Sequence, residues 1–103
     1  MNEIVITQNN FNSEVLQSDK PVLLDFWAAW CGPCKMLSPV VATFAEKHPE
    51  CKVGKVNVDE EQGLAMTHSI SSIPALFLYK DGKAVKKTVG YQDLAALEAF
   101  AQE

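Results

Sequence analysis

The sequence predicts an α/β fold, a central mixed five-stranded sheet with four helices on both faces. Three observations predict it. Val22-Leu23-Leu24-Asp25-Phe26-Trp27-Ala28 is almost continuously apolar, the pattern of a strand buried on both sides. Beyond it Leu37, Val40, Val41 and Phe44 recur at helical spacing, and residues 52–59 then alternate. Strand, helix, strand in that order implies a right-handed βαβ unit with parallel pairing. Finally, residues 75–79 and 84–89 read as strands joined by Lys80-Asp81-Gly82-Lys83, a hairpin signal that makes the sheet mixed.

The elements follow in order. Residues 3–7 alternate and form a short first strand. Asn9 or Asn10 is placed to cap a short helix carrying Phe11, Val15 and Leu16 on one face. Lys20-Pro21 breaks the chain ahead of the buried strand. The long helix covers residues 33–48. Pro39 lies inside it, removes a backbone bond and is expected to bend it, and Pro49 ends it. In the third strand Val53, Lys55 and Asn57 share one face and Gly54, Val56 and Val58 the other. A shorter helix covers residues 61–68. After the hairpin, Asp93 caps a last helix in which Leu94, Leu97, Phe100 and Ala101 cover the sheet. No repeat, linker or low-complexity segment interrupts this order.

A length of 103 residues predicts one domain over residues 1–103, and 48% hydrophobic residues can fill its core. Net charge is −4 and arginine is absent, which argues against a nucleic-acid partner. No apolar run is long enough to span a bilayer. Residues 1–7 lack the basic and long apolar regions of a signal peptide. Three cysteines are an odd number for a structural disulfide framework. A cytoplasmic, reducing setting and a monomer are therefore expected.

The chemistry concentrates in Trp30-Cys31-Gly32-Pro33-Cys34-Lys35, on the turn between the buried strand and the long helix. A helix N-terminus favours negative charge, and the thiolate is the reactive form of cysteine. Pro33 suits the first helical turn. Gly32 is expected to permit a tight turn and to keep bulk away from Cys31. The other reading of the pair is half a zinc site, but structural zinc needs four ligands and a lone CxxC supplies two. Redox chemistry is the expectation.

The run from Val22 to Val41, centred on Asp-Phe-Trp-Ala-Ala-Trp-Cys-Gly-Pro-Cys-Lys, resembles the thioredoxin family, and the resemblance covers essentially the whole chain. It implies the thioredoxin fold with the second strand near the centre of the sheet. Cys31, nearer the turn and expected to be the more exposed thiol, is assigned as nucleophile. Cys34, expected to be more buried, is assigned as the resolving thiol. Asp25 is the one charge in an apolar strand, where burial raises its pKa. It is either the proton acceptor for Cys34 or a carboxylate satisfied locally or by Lys55; the resemblance favours the acceptor. Lys55, expected on the neighbouring strand, is either a tuning group or a solvated lysine. Trp30 is expected on the substrate rim.

Pro74 would be tolerated at a strand start in any case. The resemblance implies further that Ile73–Pro74 is cis and faces the cysteines, with Ile73 offering its backbone to an extended substrate. It also implies that Gly90 lets a partner approach. Ser71-Ser72, Ala75 and Ala29 depart from residues common in the family and bear on partner preference. Cys51 is expected to be a part-buried small residue: a helix of about fourteen residues, roughly 20 Å long, separates it from Cys34, too far for a disulfide or a shared zinc site. His48 and His68 stand at expected helix ends, where a cation is favoured.

The function so implied is protein-disulfide reduction with no bound cofactor. The resemblance implies that thioredoxin reductase, a flavoprotein using NADPH, re-reduces the dithiol. An oxidase or isomerase on the same fold is the rival, disfavoured because Gly32-Pro33 supplies no side-chain donor to the thiolate. A non-redox binding module with an apolar rim of Trp30, Ile73 and Tyr91 is the third reading.

Overall fold

The structure, a computed structural model, describes residues 2–102. The elements are β1 (Glu3–Val5), α1 (Asn12–Leu16, a π-type turn), β2 (Val22–Trp27), α2 (Gly32–Lys47), β3 (Lys52–Asn57), α3 (Gln62–Thr67), β4 (Ala75–Lys80), β5 (Lys83–Val89) and α4 (Leu94–Ala101). The sheet order is β1-β3-β2-β4-β5. β1 and β2 flank β3 in parallel, and β4 runs antiparallel to both β2 and β5. The expected fold and the central place of β2 are both present.

Each face of the sheet has its own core. Val22, Leu24, Phe26, Val56 and Phe77 pack with Val15 of α1 and Leu64 of α3. Leu23, Val53 and Leu76 pack with Leu37, Val41 and Phe44 of α2 and Leu97 of α4. Asp25 follows the period of Leu23, so its side chain belongs to the face that α2 covers. At Gly54 a Cβ would come within 2.6 Å of Ile6 Cγ1; the bare backbone lets the chain leaving β1 lie against β3. Asp81 and Gly82 both take positive φ, 54° and 79°, as a two-residue hairpin turn of the primed type requires. Asp93 Oδ1 accepts from the Ala96 N–H at 2.8 Å and so caps α4.

Local details depart from expectation. Neither Asn9 nor Asn10 caps α1; Phe11 precedes it without a side-chain cap. Asn10 instead accepts from the Thr7 N–H at 2.7 Å and donates to the Val5 carbonyl at 2.9 Å, which draws the chain out of β1 before Thr7. Leu16 is exposed rather than sharing the buried face of Val15. Pro39 lies inside α2 as expected.

Candidate active site

β2 ends at Trp27, and α2 begins at Gly32 with Cys31 as its N-cap. The structure joins Cys31 and Cys34 in a disulfide, with their Cα atoms 5.2 Å apart. The Cys34 N–H donates to Cys31 Sγ at 3.2 Å. A sulfur thus fills the place of the oxygen that usually caps a helix, on a donor that the helix itself cannot satisfy. Among the described residues no group of three or more His, Cys, Asp or Glu could hold a metal.

The expected contrast in thiol exposure is absent: Cys31 is 3% exposed and Cys34 5%. Both sulfurs are held between β2 and the loop before β4, with Ala28, Trp27, Val58 and Ile73 around them. What separates them is the hollow each one borders. Cys31 lines a groove of about 550 Å³ with Trp30, Gly32, Pro33, Ile70 and Ile73. Cys34 lines a hollow of about 290 Å³ with Trp27, Lys35, Ser38 and Lys55.

Ile73–Pro74 is cis, as expected. The Ile73 carbonyl oxygen is 3.8 Å from Cys31 Sγ. Gly90 has φ 103° with open space where a side chain would be, and its N–H donates to the Pro74 carbonyl at 2.8 Å. Gly32 proves different from expectation. Its φ is not positive, so no left-handed turn requires glycine there; beyond its two chain neighbours a Cβ would meet nothing within 4 Å. Trp30 is 69% exposed, yet its indole Nε1–H donates to Asp59 Oδ2 at 2.9 Å. The ring is thereby held at the groove edge.

Asp25 is buried, 2% exposed. Burial pushes its carboxyl up from 3.8 to about 6; the nearby Lys55 ammonium opposes this and Glu3 adds to it. Lys55 is paired directly beside it in the β2–β3 register, and Nζ lies 3.9 Å from Oδ2. Asp25 Oδ1 has no hydrogen-bond partner among the described residues.

A family model for thioredoxin matches residues 2–103. The chain belongs to the thioredoxin family. It is 50% identical over 97 residues to thioredoxin of Alicyclobacillus acidocaldarius, covering 93% of this chain and 91% of the relative. It is 47% identical over 95 residues to thioredoxin of Mycobacterium tuberculosis, covering 91% and 82%. Against thioredoxin 1 of Synechococcus elongatus the identity is 49% over 86 residues, covering 82% and 80%. With the Cys31–Cys34 pair in place, this membership makes the protein a thiol–disulfide oxidoreductase that reduces protein disulfides.

Two other readings meet the structure differently. Cys51 is free and buried, and burial pushes its thiol up to about 11. His68 does close α3, but a cation is not favoured there. Its ring lies among Phe11, Phe26, Phe77 and Tyr79, and burial lowers its pKa. Nε2 meets the Tyr79 hydroxyl at 2.6 Å. Desolvation there outweighs the helix dipole. Asp59, Ser38 and Glu3 escaped the sequence reading. The first is 29 positions from Trp30, and only the parallel β2–β3 register brings the two strand ends together.

Proposed function

We propose that the protein is a general protein-disulfide reductant with Cys31 as nucleophile, Cys34 as resolving thiol and Asp25 as proton acceptor. The Cys31 thiolate attacks one sulfur of a substrate disulfide. A Cys31–substrate bond forms, the substrate S–S bond breaks, and the departing thiolate takes a proton from water. Cys34 then gives its proton to Asp25 and attacks Cys31 Sγ. The internal disulfide forms and the second substrate thiolate leaves. Two electrons have passed from the dithiol to the substrate.

The observation that carries this reading is the Cys34 N–H aimed at Cys31 Sγ at 3.2 Å. The same donor, with the helix dipole, favours a thiolate on Cys31 over one on Cys34. Pro33 starts the helix without an amide hydrogen to satisfy, and Gly32 leaves open surface for a partner. The substrate strand lies along Trp30, Ile73, Pro74 and Gly90, where the Ile73 carbonyl beside the sulfur suits strand addition. The hollow shared by Cys34 and Lys55 has room for water, about 30 Å³ per molecule. A water held there would join the resolving thiol to Lys55, the ammonium that tunes Asp25 from 3.9 Å. Thioredoxin reductase, drawing on NADPH, restores the dithiol. The protein acts as a single-domain cytoplasmic monomer.

The test uses insulin as substrate. The wild-type protein should reduce it with catalytic turnover, and Cys34→Ser should accumulate adducts through Cys31. The adducts should run as thiol-sensitive bands on non-reducing gels. A folded Cys34→Ser protein that forms no adduct overturns the two-step mechanism.

A further inference from the structure

Lys55 serves two carboxylates at once. Its Nζ lies 3.9 Å from Asp25 Oδ2 on β2 and 3.9 Å from Glu3 Oε1 on β1, and 3.4 Å from Ser38 Oγ on α2. β3 sits between β1 and β2, so one lysine reaches both neighbours. Neither contact is a close ion pair. Glu3 keeps 24% of its side chain exposed against 3% for Asp25, so the pair is wet at one end and dry at the other.

We propose that Glu3 is a positioning residue for the redox reaction: it holds the Lys55 ammonium part-way off Asp25, and so keeps Asp25 a strong enough base for the Cys34 proton. The inference rests on Asp25 being the acceptor. Formal charge shows the effect. With both carboxylates ionised, Glu3, Asp25 and Lys55 sum to −1, and proton uptake by Asp25 brings them to zero. Without Glu3 the same uptake would run from zero to +1 in a largely buried place. Glu3 therefore favours the protonated product of the transfer. The other charge facing this region is Lys35 of α2, which lines the hollow with Cys34 and Lys55. β4 brings only Leu76 beside Asp25.

The test combines Glu3→Gln, Asp25→Asn and the double variant. One readout is the ¹³C titration of the Asp25 carboxyl in the oxidised protein. The other is the decay of the Cys31–insulin mixed disulfide after rapid mixing of pre-reduced protein with insulin, between pH 5 and 9. Glu3→Gln should move the Asp25 midpoint and the acid limb of the rate profile down by roughly 0.5–1.5 pH units. At pH 7 the resolution step should slow about two- to threefold. Glu3→Ala should act in the same direction. Adding Glu3→Gln to Asp25→Asn should change nothing further. If Asp25→Asn loses the acid limb while Glu3→Gln leaves limb and midpoint in place, Asp25 remains the acceptor and the role of Glu3 is overturned. If Asp25→Asn keeps the wild-type limb, the acceptor lies elsewhere and both readings fall.

Discussion

Helix α2 carries a thiol at each end, and the two ends present opposite environments. Cys31 caps the N-terminus, and Cys51 lies four residues beyond the last helical residue, Lys47. Burial hardly distinguishes them, at 3% and 8% exposed. Their neighbours do. Cys31 Sγ receives an amide N–H where the helix dipole amounts to about +0.5 charge. Cys51 Sγ lies 3.6 Å from the Lys52 carbonyl; burial pushes its thiol up most, the Leu23 backbone and the Lys20 charge work against this, and the Glu50 charge adds to it. One ionisable group on the face α2 covers and one at its C-terminal end also differ. Asp25, on the face α2 covers, has one oxygen without a hydrogen-bond partner among the described residues, whereas His48 at the C-terminus has a carboxylate at each ring nitrogen. At similar exposure, an amide N–H and the helix dipole favour a thiolate on Cys31, whereas burial sets the thiol of Cys51.

The widest separation between the ends should appear in turnover. Cys31→Ser should abolish insulin reduction, and Cys51→Ser should leave it within twofold, because no step described above uses Cys51. Substantial loss in Cys51→Ser, with its fold intact, would break the comparison. Alkylation sharpens it. At pH 7 a thiol with a pKa of about 11 is only about one part in 10⁴ thiolate. Even after allowing for the greater nucleophilicity of a more basic thiolate, Cys31 of the reduced protein should react with iodoacetamide at least ~100-fold faster than Cys51. Peptide mapping after a brief pulse measures the ratio. Label appearing first on Cys34 would reverse the assigned roles.

Sequence separation decides which of these features can be read without the structure. The cap on α4 lies within Asp93 to Ala96 and the hairpin turn within Asp81-Gly82, and both are legible. The cysteine motif and the helix that follows it are equally local. Asp25 stands out because one charge interrupts an apolar strand. The pairing of Trp30 with Asp59, the ring cluster around His68 and the sharing of Lys55 by two carboxylates depend on which strands become neighbours. Helix-end position alone suggests a cationic His68; the aromatic packing that reverses this comes from Phe11 ahead of α1, from β2 and from β4. Cys31 likewise reads as an exposed turn residue until Ile73, 42 positions away, is folded against it.

A smaller effect is expected at Asp25, in stability. Its folded pKa, about 6, lies above the ordinary 3.8. The penalty is absent below 3.8, grows as pH rises because ionisation is easier in the unfolded chain, and levels off above 6. At 1.36 kcal/mol per pH unit it reaches about 3 kcal/mol by pH 8, and about half of that at pH 5. Oxidised Asp25→Asn should therefore gain stability over wild type between pH 5 and 8 in urea melts. Reductase-coupled turnover should fall. General acid–base assistance is worth about 10²–10⁴, of which proton transfer to water would recover part. A stability difference independent of pH, with turnover unchanged, would make Asp25 a structural carboxylate.

The smallest effect is expected at the other end of the helix. The His48 N–H donates to the Phe44 carbonyl at 3.0 Å, and its ring stacks on Phe44 at 4.6 Å. Nδ1 lies 2.9 Å from Glu50 Oε2, and Nε2 lies 2.8 Å from Glu98 Oε2. A neutral imidazole has one N–H and can serve only one of them, whereas the cation serves both. The hydrogen bond to Glu98, then that to Glu50, raises the His48 pKa above 6.5. The stabilisation is thus fully present below 6.5 and is lost as pH rises through the folded value. The group is partly exposed, so the effect stays within the range of surface pairs. His48→Gln should lower Tm by roughly 1–3 °C at pH 5.5 in low salt. The difference should shrink at pH 8.5 and in about 1 M salt, where the Debye length is only ~3 Å. Because Glu98 belongs to α4, amide exchange should quicken there before it does in β2. A Tm loss equal at both pH values and insensitive to salt would assign the role of His48 to its stacking on Phe44, and charge would then distinguish only the redox end of α2.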